Sequence, residues 1–200
     1  MYAFELAKQH QVVAGDLSEK NVDKMRSLQE SNPVLNGIFQ LNACNLNVFK
    51  DESFDVVLCM GALYHLFDRR EQMKVIQECT RVCKKQGILV FAYLNKWGSF
   101  YNGLINNLKS MELLYTEYES GNHEDIFHRT TPAEIDCMCQ EQHLKRIYNV
   151  GVDHLAFLAS ERIDAMDELE YARLLEYQMK ATMEPNIAGA SLHGLWIGRR

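Results

Sequence analysis

Three short stretches place polar side chains where the chain leaves an apolar run, and each could meet a ligand. Gly15-Asp16-Leu17 follows Val12-Val13-Ala14. A carboxylate at a strand tip can accept hydrogen bonds from both hydroxyls of a ribose, or it can cap the helix that follows. Leu41-Asn42-Ala43-Cys44 follows a second apolar run. Asn42 offers a donor and an acceptor, enough either to read an adenine edge or to close a turn. Met60-Gly61-Ala62-Leu63-Tyr64-His65 follows the almost uniformly apolar run from Phe54. Gly61 lets a ligand approach the backbone there. Tyr64 and His65 could touch a substrate, and His65 could serve as a base or pack beside Leu66 and Phe67.

Such residues need strands to carry them to one edge. Strand-like runs alternate with helix-like stretches along most of the chain, the pattern of an α/β fold with a mainly parallel sheet and helices on both faces. Tyr2–Gln9 reads as the end of a helix, Gln11–Gly15 as a strand, Glu19–Glu30 as a helix with Ser18 as its N-cap, and Ile38–Leu41 as a strand. Phe54–Met60 reads as a strand buried on both faces. Asp68 and Glu71 form a predicted capping box for a helix whose Met73, Ile76, Cys79, Val82 and Cys83 face a core, before the strand Ile88–Leu94. Thr131, Pro132 and Glu134 mark another helix start. A strand Leu144–Val150, an acidic helix Arg162–Met183 and a last strand Leu192–Ile197 complete the order, and residues 1–200 read as one domain. Residues 97–128 form a candidate cap or lid. Its Tyr101, Tyr115 and Tyr118 are candidate substrate contacts, or aromatics that pack the cap onto the sheet.

Composition narrows the partners. A net charge of −6 and the absence of any basic run longer than a pair argue against nucleic acid. The apolar runs fall far short of the roughly 20 residues that span a bilayer. No leader pattern is visible, so the expected compartment is the cytoplasm. The six cysteines show neither a CxxC pair nor a zinc-type spacing, and they read as reduced, buried thiols with no metal. A small molecule is the expected partner, with a homo-oligomer possible.

Taken in order, these strand ends resemble the class I S-adenosylmethionine-dependent methyltransferases. Val12-Val13-Ala14-Gly15-Asp16-Leu17-Ser18 is similar to the end of that family's second strand, whose acidic residue holds the cofactor ribose. Asn42-Ala43 falls where the family commonly has Asp-Ala near the adenine, so an amide stands in place of a carboxylate. Phe54-Asp55-Val56-Val57 through His65 resembles the fourth strand and its turn along the methionine part of the cofactor. Arg81 through Val90 resembles the passage into the fifth strand, and His128-Arg129-Thr130-Thr131-Pro132-Ala133-Glu134 and the strand at Tyr148 resemble the later fold.

The resemblance implies a Rossmann-like fold, S-adenosylmethionine as cofactor, and Asp16, Leu17, Asn42, Ala43, Met60, Gly61 and His65 as cofactor contacts, with Tyr64 beside the substrate. It leaves out the family's first strand and its GxGxG-like loop, which would precede Tyr2. The expectation is an N-terminally truncated sheet with two unpaired strand edges and an impaired cofactor site. Two other readings share these residues: a methyltransferase-like remnant serving as an interaction module, and a nicotinamide-dependent Rossmann enzyme with its own acid at the second strand's tip.

Overall fold

The computed structural model describes residues 2–122 and 127–200, so that Met1 and residues 123–126 of the candidate lid lie outside the described residues. The chain divides into two compact units, Met1–Val48 and Phe49–Arg200.

In the first unit, α1 (Tyr2–Leu6) precedes β1 (Val13–Asp16), α2 (Glu19–Ser31) and β2 (Gly37–Gln40). The two strands pair in parallel, with Val13 opposite Gly37 and Asp16 opposite Gln40. A parallel pair needs a crossover, and α2 provides it. Its Val22 and Met25 pack with Ala14 and Leu35 as a core, against which Phe4 and Ile38 rest. Gln29 ties the return to β2: its Nε2 donates to the Leu35 carbonyl, and its Oε1 accepts from the Val34 and Leu35 N–H groups. Ser18 occupies the N-cap position of α2, but its side chain makes no cap bond. Asp16 accepts the Ser18 N–H two residues on, an Asx-type turn that leads into the helix.

In the second unit, a four-stranded sheet runs in the order β3-β4-β6-β5, where β3 is Phe54–Cys59, β4 is Cys83–Leu94, β5 is Lys145–Gly151 and β6 is His193–Arg199. β3 and β4 are parallel, joined through α3 (Arg69–Val82), whereas β6 runs antiparallel to both β4 and β5. Leu89, Phe91 and Tyr93 of the central strand are fully buried, as is Trp196 of β6, whose indole Nε1 donates to Asp136 Oδ1 at 3.0 Å. Val75, Ile76, Cys79 and Val82 turn one face of α3 inward, following the three- and four-residue spacing. Asp68 is its cap, although the carboxylate takes the Arg70 N–H rather than that of Glu71.

Two expectations need correction. β3 is not buried on both faces: Val56 and Leu58, which share one face of the strand, are 53% and 43% exposed, so that face lacks a covering layer among the described residues. The acidic stretch is not one helix but α7 (Ser160–Asp164) and α8 (Glu168–Ala181). Asp167 starts the second, accepting the Glu170 N–H while Glu170 accepts that of Asp167, and this reciprocal cap sets a new helix origin. The candidate lid contains two helices, α4 (Lys96–Ile105) and α5 (Met111–Ser120), the second ending at Gly121 with φ of 72°, a left-handed turn that glycine adopts without strain.

α6 (Pro132–Glu141) begins as the sequence indicates. Thr131 Oγ1 accepts the Glu134 N–H at 3.1 Å, and Glu134 Oε2 accepts the Thr131 N–H at 2.7 Å. Replacing Thr131 by Ala should lower unfolding free energy by about 1 kcal/mol, the usual worth of an N-cap. Urea denaturation of the two proteins measures this, and coincident midpoints would remove the cap from the accounting. Among the described residues, no helix is long and apolar enough to cross a membrane.

Candidate functional site

The parallel register of the first unit brings Asp16-Leu17 and Asn42-Ala43 to the same end of the β1-β2 ladder. Asp16 is half-buried, while Leu17 and Asn42 are exposed. The Asp16 carboxylate accepts the Ser18 N–H through Oδ1 at 2.8 Å and the Asn21 amide through Oδ2 at 3.2 Å. One bond on each oxygen leaves acceptor capacity for a diol. Asn42 Oδ1 accepts the Cys44 N–H at 2.9 Å and closes a turn, which leaves its amide nitrogen as the group free to face a ligand. The ribose and turn readings of these residues are therefore compatible.

In the second unit, Met60, Gly61, Tyr64 and His65 occupy the passage from β3 into a short 3-10 turn, Ala62–His65. The Tyr64 hydroxyl donates to the Met60 carbonyl at 3.1 Å, so that the turn folds back on the strand end. The His65 ring packs between Tyr64 and Phe127, with centroids 5.0 Å from each.

A cavity of about 310 Å³ opens at this edge. Tyr64 and Leu94, the last residue of β4, line it. Ser99, Asn102 and Gly103 contribute one face of α4, followed by Asn107 and Lys109; Phe127 and Arg129 close another side, and Leu192 and His193 the third. Of the four tyrosines considered from sequence, only Tyr64 is in this lining. Tyr101 and Tyr115 are 55% and 61% exposed, and Tyr118 packs its ring against Trp97 at 4.9 Å, with the Lys96 ammonium 5.9 Å from its centroid.

Asn95 shapes the cavity wall from within the protein. It is fully buried, and its Nδ2 donates to the carbonyls of Ala188, Gly189 and Ser191 at 2.9 to 3.1 Å. Its Oδ1 accepts the Trp97 N–H and so caps α4, while its backbone N–H donates to the Leu192 carbonyl. The segment bearing Arg129 is laced to the same strand end, since the Thr130 N–H donates to the Leu94 carbonyl.

Electrostatically the lining is mixed. Lys109 forms a 2.6 Å pair with buried Glu117. Arg129 donates from Nε to Ser99 Oγ and from Nη1 to the Phe127 carbonyl. His193 is held twice by Asp153: its Nδ1 lies 2.6 Å from Oδ2, and its backbone N–H donates to Oδ1 at 3.1 Å. The hydrogen bond and charge of Asp153 raise the imidazole pKa above its ordinary value, against the opposing effect of burial.

A raised pKa in the folded state means that this pair stabilises the fold fully below the ordinary histidine pKa and loses that contribution as pH rises through the higher folded value. Asp153→Asn should therefore lower the melting temperature more in mildly acidic than in mildly alkaline buffer. Equal losses on both sides would show that the pair is not ionised.

His193, Asp153, Ser99, Asn102, Lys109 and Arg129 were not among the candidates read from sequence. Among the described residues, no group of three His, Cys, Asp or Glu side chains could hold a metal.

Residues 1–91 match a sequence family described as a methyltransferase domain. No curated protein matches the chain by sequence. Among solved structures, a S-adenosylmethionine-dependent methyltransferase from Methanosarcina mazei is similar with a TM-score of 0.63 and 18% identity, over 98% of this chain and 85% of that one. A Pyrococcus horikoshii OT3 protein gives a TM-score of 0.63 at 14% identity, covering 99% and 76% of the two chains. A Thermotoga maritima S-adenosylmethionine-dependent methyltransferase, described as a possible histamine N-methyltransferase, gives 0.58 at 14% identity over 97% and 75%. At such identities the likeness is one of fold.

Proposed function

We propose that this chain acts as a class I S-adenosylmethionine-dependent methyltransferase, a reading supported by the methyltransferase-domain match over residues 1–91 and by the shared fold, and that it transfers a methyl group from S-adenosylmethionine to a small molecule held in the cavity beyond the end of β4. The observation that carries this reading is the cavity itself, about 310 Å³, at the carboxyl end of a parallel strand pair. That edge is where open α/β sheets bind ligands.

The residues fit the cofactor in kind. In the first unit, the Asp16 carboxylate has an acceptor site left on each oxygen for the ribose hydroxyls, with Leu17 and Ala43 beside it and the exposed Asn42 amide suited to a purine edge. Bound S-adenosylmethionine supplies a methyl group activated by a sulfonium. The chain's own part is to orient the acceptor: Tyr64, Ser99 and Asn102 line the chamber with hydroxyl and amide groups that fix a polar molecule, and alignment of this kind contributes much of a displacement's rate.

The test is incubation of the protein with S-adenosylmethionine and a panel of small phenols, carboxylic acids and amines, followed by mass spectrometry for S-adenosylhomocysteine. At least one member should raise product above the acceptor-free level. Binding of the cofactor with no turnover across the panel would favour a non-catalytic interaction module.

A further inference from the structure

The edge that carries the cavity also carries a histidine held by a carboxylate. His193 is the first residue of β6 and lies opposite Leu94, the last of β4. Because β6 is antiparallel to β4, its amino end stands where β4 has its carboxyl end, and both residues line the cavity. Asp153 holds Nδ1 at 2.6 Å, which fixes that nitrogen as the protonated one and leaves Nε2 as the basic lone pair. The same carboxylate accepts the His193 backbone N–H, so that ring and main chain are positioned by one group.

We propose that His193 is the proton acceptor for the methyl acceptor molecule, that Asp153 is its positioning residue, and that this molecule presents an acidic hydroxyl of the phenol or enol class. The inference rests on the methyl-transfer reading of the same cavity. In the step, the O–H bond of the acceptor breaks, the proton forms a bond to Nε2, and the electron pair stays on oxygen as the nucleophile. Asp153 remains a carboxylate beside the imidazolium, which returns its proton to water after release. A neutral imidazole that offers Nε2 as an acceptor matches a hydroxyl acidic enough to give up its proton, and the oxyanion so formed is met by the imidazolium itself; Lys109 is already paired with Glu117 at 2.6 Å. Among the described residues, the charged and titratable groups that line this cavity with His193, or are bonded to those that do, include Asp153 after β5, Tyr64 after β3, Lys109 after α4 with its partner Glu117 on α5, and Arg129 before α6.

The probe is 4-nitrophenol without cofactor, followed by its phenolate absorbance below the free phenol's own ionisation midpoint. The wild-type protein should bind it in the ionised form and lower its apparent pKa by about one unit. His193→Gln should lose that shift and bind about tenfold more weakly. Asp153→Asn should weaken it in part and move the His193 NMR titration midpoint to lower pH, and Asp153→Glu should restore both. A purely structural Asp153 would leave that midpoint unmoved. If His193→Gln ionises the phenol as well as wild type, or if neither protein does, the proposal is overturned. Calorimetry with S-adenosylmethionine on the same proteins separates the two readings. Cofactor binding with no effect of His193 on the phenol sinks this inference alone, and phenolate capture with no cofactor binding removes the methyl-transfer reading on which it rests.

Discussion

Asn95→Ala should be the most destabilising single truncation at the cavity wall, lowering unfolding free energy by about 2–4 kcal/mol. One buried side chain is bound to three carbonyls of residues 188–191 and to the first turn of α4. Losing the cap costs about 1 kcal/mol. Each buried carbonyl stripped of its donor costs about 1–3 kcal/mol, reduced where water can enter the space left. The loss is also directional, since the carbonyls belong to the approach to β6 and hence to Leu192 and His193. Asn95→Asp isolates the cause: it keeps the acceptor for Trp97 and turns the donor into a charge facing carbonyls, so it should be at least as damaging as Ala. Chemical denaturation of the three proteins decides this, and an Asp variant as stable as wild type would show that the amide donors contribute nothing.

The second large effect is on ligand affinity. Asp16→Ala should weaken S-adenosylmethionine binding by about 1.5–3 kcal/mol, the worth of hydrogen bonds to a charged group, or roughly ten- to a hundredfold in Kd. Because Asp16 also accepts the Ser18 N–H, the variant should melt somewhat lower even without ligand. Asp16→Asn keeps an acceptor for that N–H, so a loss of affinity shared by Asn and Ala variants is assigned to the charge on the diol, and a loss seen only with Ala to the local turn. Equal affinity in all three proteins would remove Asp16 from the site.

How much could be read beforehand differs from one strand to the next, for physical reasons. The placement of Asp16 and Asn42 at one end of a strand pair was legible because in a parallel ladder the residue after each apolar run falls at the same edge, and the register does the rest. Tyr64 was legible for the same reason, following β3. His193 was not. Leu192–Ile197 was recognised as a strand, but the candidates were sought at strand carboxyl ends, and an antiparallel strand presents its amino end at that edge. Asp153 lies in the connection after β5, and nothing in its neighbours marks it as the partner of a residue forty positions later.

The exposure of β3 has a related origin. Its apolar sequence reports what the strand is made of, whereas burial of each face depends on what packs over it, and the face of Val56 and Leu58 is open. The break between α7 and α8 was written in Asp167 and Glu170, a reciprocal cap hidden among other acids. Within the candidate lid, aromatic residues drew attention to Tyr101, Tyr115 and Tyr118. The cavity instead meets α4 through its small and polar face, Ser99, Asn102 and Gly103, which gives no hydrophobic signal.

The most direct measurement is calorimetric titration of the protein with S-adenosylmethionine, with NAD as the comparison ligand. A strand-tip acid is common to sites for both, so the pair separates a methyltransferase from a nicotinamide enzyme. Saturable one-to-one binding of S-adenosylmethionine, weakened by Asp16→Ala, with no heat from NAD, is the expected result. Saturable binding of NAD, or no binding of S-adenosylmethionine to a cooperatively folded chain, would contradict methyl transfer as the function of this protein.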